Sequence, residues 1–417
     1  MATIPKLFVP KGNRNSPLRL ILILPLLFLM AGCEKKDTSA PRNNRQPVYY
    51  TIGQFCMGCD LSVVNQVEDH GGVFADSSVA GDPYSILHSH GANLVRLRLW
   101  HNPQWTKEVY GAEGHQLYND LADVEKSMFR AKQNGMKVCL DFHYSDTWAD
   151  AGAQEVPAAW AGITSLDVLK DSVYNYTFRV LSYLKNESLM PYMVQIGNEI
   201  NCGMCYSGAD ADFPNLNACQ GHWAELGGVI NSAINAVRDV SVGNTNEVLV
   251  ALHIADPSNV EWWLDNITTT GGVSDYDIIG FSYYPLWHTG IKLSNISYVT
   301  GRVREKYGKQ VMVFETAYPW TADGNDNYTN LLGGQTPVSG YPFTQQGQLD
   351  FMKTLTQEVI DGGGIGVIYW EPAWITSQMK DLWGSGSSWE NATFFDFSGN
   401  TLPVIDYMNY PYTFPGK

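Results

Sequence analysis

Two short apolar runs in the chain end on a glutamate. Met193-Val194-Gln195-Ile196-Gly197 runs into Asn198-Glu199, and Val311-Met312-Val313-Phe314 runs into Glu315. Carboxyl groups at the ends of buried strands suit proton transfer and nucleophilic attack, because burial and a neighbouring charge can hold their proton affinities apart. Set about 5 to 5.5 Å apart, two such groups perform double displacement at an anomeric carbon. One carboxylate attacks; the other protonates the leaving oxygen and then acts as base for water. Glu315 is the expected nucleophile, since the inward-facing Arg96 and Arg98 can keep it ionised. Glu199 is the expected acid/base, and Asn198 beside it is placed to hydrogen-bond a sugar 2-hydroxyl. A lone Glu after a strand is ordinarily a solvent-facing loop residue. Here the pair, the strand count and the adjacent Asn agree on chemistry.

Other strand ends carry polar or aromatic residues as well: Arg98 and Trp100, Asp141 and His143, His253, Tyr283 and Tyr284, and Trp370 with Glu371. The segment Asp141 to Asp150 is the densest such cluster, and Asp141 and His143 point the same way along a strand. The expected substrate-binding set is Arg96, Arg98, Trp100, Asp141, His143, Asp146, Trp148, Asn198, His253, Tyr283, Tyr284, Trp320 and Trp370. Trp287 and Trp374 belong with the other Trp as candidate cleft walls, since indole faces stack on the apolar faces of pyranose rings. Trp also fills cores, so for each one both roles stand. The loop from Asp323 to Thr329 presents Asp323, Asn325 and Asn327 at alternate positions, as calcium loops do, but lacks the closing bidentate Glu of an EF-hand. An Asx-rich turn explains the same residues. No cofactor is needed for the carboxylate chemistry; a structural calcium is the ion this loop suggests.

These side chains need a frame. Strand-like runs occur at Gln54–Asp60, Asn93–Trp100, Lys137–His143, Tyr192–Asn198, Glu247–His253, Asp277–Ser282, Gln310–Glu315 and Gly366–Trp370. Between them lie amphipathic helical patterns, among them Leu121–Gln133, Leu166–Leu184, Trp223–Val240 and Gln345–Val359. Strand–helix alternation implies parallel pairing, and eight units fit an α/β fold of the (β/α)8 TIM-barrel type, one catalytic domain over residues 50–417. Glu199 and Glu315 then close the fourth and seventh strands, at the carboxyl end where barrel chemistry sits. A doubly wound sheet is the alternative, but no GxGxxG follows the first strand. Charged residues make up 17% of the 417, below the usual ~25%, while aromatics reach 12%, which excludes disorder and coiled coil for most of the chain. A formal charge of −15 without a basic patch excludes nucleic acid as partner.

The amino terminus reads as a targeting segment. Lys6, Lys11, Arg14 and Arg19 precede an apolar run from Leu20 to Met30 that is short for a membrane span. Leu29-Met30-Ala31-Gly32-Cys33 resembles a bacterial lipobox, which makes residues 1–32 a signal peptide, Cys33 the lipid-attachment site and residues 33–49 a tether. The expected product is a monomeric extracytoplasmic lipoprotein, held to a bacterial membrane by lipid alone and displayed on the outer membrane at the cell surface. Cys139 lies in an apolar run and is expected to be a buried free thiol. Cys56, Cys59, Cys202, Cys205 and Cys219 have contexts open to disulfides, with connectivity left open. Their CxxC spacings also resemble zinc ligands, with only His222 near by.

Taken together, Asn93 to Trp100 with Asn102-Pro103, Asp141 to Asp150 with Pro157 to Trp160, Gln195 to Glu199, Phe314 to Pro319 and Trp389 to Asp396 resemble the arabinogalactan endo-β-1,4-galactanases, glycoside hydrolase family 53. The resemblance spans about residues 50 to 410. It implies a clan A barrel, retaining cleavage of internal β-1,4-galactosyl bonds in galactan and type I arabinogalactan, and an acid/base and nucleophile that coincide with Glu199 and Glu315. Bacterial members often bind calcium after strand seven, where this chain has Asn in place of Asp and His. The insertion from Cys202 to Cys219 departs from the family pattern. From residue physics alone, mannan, xylan or glucan would suit the same carboxylates, and a non-catalytic surface glycan-binding protein would use the same aromatics.

Overall fold

The computed structural model describes residues 54 to 244 and 247 to 414, all within the unit Pro47–Lys417. The signal segment 1–32, Cys33 and the tether 33–49 lie outside the described residues. Eight parallel strands close into a barrel: β1 (Cys56–Asp60), β2 (Leu94–Leu99), β3 (Lys137–Phe142), β4 (Met193–Ile196), β5 (Leu249–Ala255), β6 (Ile278–Ser282), β7 (Gln310–Glu315) and β8 (Gly366–Tyr369), with β1 paired to both β2 and β8. Around them run α1 (Pro83–Ser89), α2 (Leu121–Gln133), α3 (Leu166–Asn186), α4 (Trp223–Ser241), α5 (Val260–Thr269), α6 (Ile296–Tyr307) and α7 (Gln345–Asp361). Among the described residues no long helix follows β8; a 3-10 turn, Pro403–Asn409, packs against α7 in its place. Among the described residues no helix is long and apolar enough to cross a membrane.

Side-chain alternation sorts each strand into two jobs. Val95, Leu97 and Leu99 of β2 face outward and join the core beneath the helices. Leu94 faces inward with Cys56, Cys139, Met193, Ala251, Ile278, Met312, Phe314 and Ile368, forming a separate apolar plug inside the barrel. One inward step nearer the carboxyl end, the residue type changes: Asp60, Arg96, Asp141, Gln195, His253 and Ser282 are all polar and all buried. The barrel floor is thus apolar and its upper layer is a charged plate.

Strict alternation would give Glu315 the same facing as Val311 and Val313, toward the helices. The pairing of β6 with β7 shows why it does not. Phe281 pairs with Val313 but Ser282 pairs with Glu315, so Phe314 is one extra residue, a β-bulge that turns Glu315 into the barrel. The bulge needs room for the Phe314 ring, and Gly280 provides it: a Cβ at Gly280 would sit 2.5 Å from that ring. Gly280→Ala should cost about 1 to 3 kcal/mol and lower kcat by displacing Glu315, as thermal melts and kinetics on one preparation would show.

Cys56 and Cys59, read as possible disulfide partners, lie three apart in β1 and therefore face opposite sides, Cys56 into the plug and Cys59 outward. Both are buried free thiols, as are Cys139 and Cys205. Burial pushes the Cys56 thiol up to about 11. Cys202 and Cys219 form the disulfide, which removes the zinc reading of these spacings.

Candidate active site

At the centre of the polar plate lies Arg96, 1% exposed. All five of its N–H bonds have acceptors: Nε donates to Gln195 Oε1 (2.9 Å), Nη1 to Asp60 Oδ2 and Glu315 Oε1 (both 2.8 Å), and Nη2 to Asp141 Oδ2 and Asn198 Oδ1 (both 2.7 Å). Burial opposes its charge, but Asp141, Glu315 and Asp60 outweigh that and hold its pKa well above the ordinary value. One guanidinium therefore fixes residues from β1, β2, β3, β4 and β7 in a single plane.

Glu199 reaches the same region from the turn after β4, where Gly197 and Glu199 itself both take positive φ, +74° and +46°. The left-handed geometry is costly for a glutamate and is the kind of strain found where a side chain must be aimed. One carboxyl oxygen of Glu199, one of Glu315 and a ring nitrogen of His253 lie within 4.8 Å of one another. The carboxyl separation matches double displacement and leaves no room for a water between the groups. Burial pushes Glu315 up to about 8 against the pull of Arg96, with Glu199 and Asp60 adding to the rise. Glu199 is raised as well, chiefly by burial, with Asp150 contributing. The two carboxyls are close enough to titrate as a pair. The hydrogen bonds distinguish them. Glu315 accepts from Arg96 on Oε1 and from the Tyr284 hydroxyl on Oε2 (2.9 Å), which favours its anion, whereas Glu199 has no cation in contact.

The cleft above the pair encloses about 520 Å³ and has aromatic walls, in which Trp389 packs against Trp370, Tyr284 and Trp287, and Trp148 against Trp370 and Trp374. Arg98, 2% exposed, lies against Trp148 (3.9 Å to the ring centroid) and Trp100 (4.8 Å) and reaches Glu371 Oε1 with Nη1 at 3.4 Å. Its Nε and Nη2 are buried without a protein acceptor. Asn198 commits one amide N–H to the Ala149 carbonyl and keeps the other.

Of the expected substrate-binding residues, Arg96, Arg98, His143, Trp148, Asn198, Tyr284 and Trp370 line the cleft. The others do not, each for a definable reason. Trp100 and Asp141 are buried behind the wall, Trp100 donating to His143 Nδ1 and Asp141 binding Arg96 and His143. His143 reaches the cleft but is occupied: Nδ1 accepts from Trp100 and from Ala149 N–H, so the Nε2 proton points to Asp141. Burial lowers its pKa and keeps the ring neutral. His253 is fully buried between Asn198 and Ser282. Tyr283 faces away from Tyr284 and donates to the Ile291 carbonyl. Asp146 ties a loop by accepting from Asn102 and Ala158 N–H, and Trp320 packs on Phe397 while donating to the Glu390 carbonyl.

The structure adds what the sequence reading missed. Asp60, Gln195 and Ser282 share the inward parity of Arg96, a signal that strand alternation alone carries. Tyr328, Leu331, Asp381, Trp383 and Trp389 come from the long loops after β7 and β8, where no periodicity marks them. Glu371 is fully buried beside Asp60, and burial together with Asp60 holds its carboxyl well above the usual range.

Asp323, Asn325 and Asn327 are exposed and share no partner that gathers them: Asp323 bonds Thr321, and Asn325 bonds Thr376 and, through its backbone, Glu390. The carboxyls that organise this region are Asp326, Asp381 and Glu390, and each already accepts protein donors. The three expected ligands do not fit an oxygen cage, and no step below involves a metal.

A closed parallel barrel whose fourth and seventh strands deliver two carboxyls within 4.8 Å, under an aromatic cleft, defines a glycoside hydrolase. The chain belongs to glycosyl hydrolase family 53, whose family model matches residues 56–408. It is 42% identical over 362 residues to the arabinogalactan endo-beta-1,4-galactanase of Cellvibrio japonicus, covering 86% of this chain and 91% of that protein. With the endo-beta-1,4-galactanase of Bacillus subtilis it shares 33% identity, over 85% and 86% of the two chains. Among solved structures, the GH53 catalytic domain of Ignisphaera aggregans superposes with a TM-score of 0.75 at 32% identity, covering 87% of this chain and 98% of that one.

Proposed function

We propose that this enzyme is an endo-acting, retaining galactanase that cuts internal β-1,4-galactosidic bonds of galactan and type I arabinogalactan, the side chains of pectin. Glu315 attacks the anomeric carbon and Glu199 serves as acid and then base. The observation that carries the chemistry is the close Glu199–Glu315 pair in which only Glu315 touches a cation. Similarity to galactanases of Cellvibrio japonicus and Bacillus subtilis supports the sugar, and the walls of Trp148, Trp370 and Trp374 suit a neutral polymer. Digestion of linear galactan, with products sized over time, tests this. Intermediate oligosaccharides should appear before short products, and parallel digests of mannan, xylan and glucan should stay unchanged. Release from one of those glycans and not from galactan would overturn the substrate; no release from any would overturn the enzyme.

The address proposed for the enzyme is the outer surface of a bacterial membrane, as a monomer anchored through lipid on Cys33. The basic segment, apolar run and Ala31-Gly32-Cys33 support it. Cys33→Ala should move the protein from the membrane fraction to the soluble one; an unchanged distribution would count against the anchor.

A further inference from the structure

Behind Glu199 lies a buried hydrogen-bond chain that the mechanism above does not use. Glu199 Oε1 contacts Ser282 Oγ at 2.5 Å, Ser282 Oγ contacts His253 Nε2 at 2.9 Å, and His253 Nδ1 contacts Asn198 Oδ1 at 2.9 Å. Ser282 and His253 are both fully buried.

The direction of the chain can be worked out. Asn198 gives an amide N–H to the Ala149 carbonyl and receives Arg96 on Oδ1, so Oδ1 is the atom facing His253 and can only accept. The Nδ1 proton of His253 is thereby fixed. Gln195 Nε2, 3.2 Å from Nδ1, has its own acceptors in the Gly197 carbonyl and Asn198 Oδ1. Burial, Arg96, His143 and His288 all oppose a second proton on the His253 ring. Its Nε2 is therefore a lone pair, which takes the Ser282 hydroxyl hydrogen. Ser282 Oγ is left as an acceptor for a proton on Glu199.

We propose that Ser282 is a positioning residue whose hydroxyl hydrogen alternates between His253 Nε2, while Glu199 holds its proton, and Glu199 Oε1, once that proton is gone. The proposal rests on the reading of Glu199 as acid/base. In the first step the Glu199 proton passes to the leaving oxygen as its bond to the anomeric carbon breaks and a Glu315 oxygen bonds that carbon. Ser282 then rotates and donates to the new carboxylate. In the second step water bonds the anomeric carbon, its proton passes to Glu199, the Glu315 ester bond breaks, and Ser282 returns to His253. The charged and titratable groups facing Glu199 are Asp150 from the loop after β3, Arg96 from β2, His253 from β5, Tyr284 after β6 and Glu315 from β7. The one cation among them is already shared by Glu315, Asp60 and Asp141, so Ser282 is the side-chain donor that contacts Glu199.

A donor to a carboxylate is stronger than the same bond to a neutral acid, so removing Ser282 favours the protonated form of Glu199. Three variants separate the possibilities: Ser282→Ala, Ser282→Thr and Glu199→Ala, each assayed on galactan and on a dinitrophenyl β-galactobioside, with and without azide. The aryl leaving group needs no acid, so its turnover reads the base step, and azide attacks without a base. Ser282→Ala should lower kcat on the aryl substrate about tenfold, with azide restoring it. The alkaline limb of kcat/KM on galactan should rise by about one pH unit. Ser282→Thr should behave as the parent. A folding defect would not be restored by azide. If azide does not rescue Glu199→Ala, the acid/base reading fails. If it does, and Ser282→Ala keeps the parent kcat and pH limb or Ser282→Thr is equally impaired at parent Tm, the role of Ser282 is overturned.

Discussion

Glu315→Gln should reduce turnover of galactan by at least about a thousandfold while the fold survives. The amide cannot attack carbon, but its oxygen can still accept from Arg96 Nη1, so the guanidinium keeps its acceptor from β7. The Tyr284 hydroxyl loses an anionic acceptor and can rotate toward the cleft. The expected signature is a collapse of kcat with galacto-oligosaccharide affinity nearly unchanged and a melt that stays cooperative. Parent-like cleavage by this variant would remove Glu315 from the mechanism.

Arg96→Lys should damage both stability and activity, because the two side chains share only their charge. Lysine offers three donors on one atom, whereas Arg96 spreads five over a plane that reaches Asp60, Asp141, Gln195, Asn198 and Glu315. At least two acceptors lose their donor, and Asp60, Asp141 and Gln195 among them are fully buried. Breaking a buried charge network of this kind costs about 3 to 5 kcal/mol, readable as a lower midpoint in urea. Activity should fall by about a hundredfold or more, since Asn198 loses its orientation and Glu315 the cation that favours its anion. The double variant Arg96→Lys with Glu315→Gln should lose less than the two single effects multiplied, because both remove the same contact. Multiplicative losses would mean that Arg96 acts on something other than Glu315.

All eight strands were legible because each is a short apolar run ending in polar residues, a pattern that parallel burial imposes. The Glu199–Glu315 pair followed from counting those strands. What stayed hidden depended on details that residue types do not encode. Tyr283 and Tyr284 look equivalent in sequence, yet the chain's turn after β6 sends one to a carbonyl and the other to Glu315. Strict alternation points Glu315 outward, and the Phe314 bulge explains why it faces the barrel instead. Trp100 and Trp320 had the right chemistry for a cleft but are used as packing under Arg98 and Phe397. Asp141, His143 and His253 drew attention as polar strand ends, and the structure gives all three to holding other side chains. Trp383, 67% exposed, comes from a loop whose path only tertiary packing sets.

Double displacement by the Glu199–Glu315 pair on β-1,4-galactan leaves a product of retained anomeric configuration. Proton NMR of the anomeric region during the first minutes of galactan hydrolysis tests it most directly. Retention predicts that new reducing ends appear first as the β anomer, with the α anomer rising only at the rate of mutarotation. New ends that appear first as the α anomer would contradict a covalent intermediate on Glu315 and with it the roles assigned to both carboxyls.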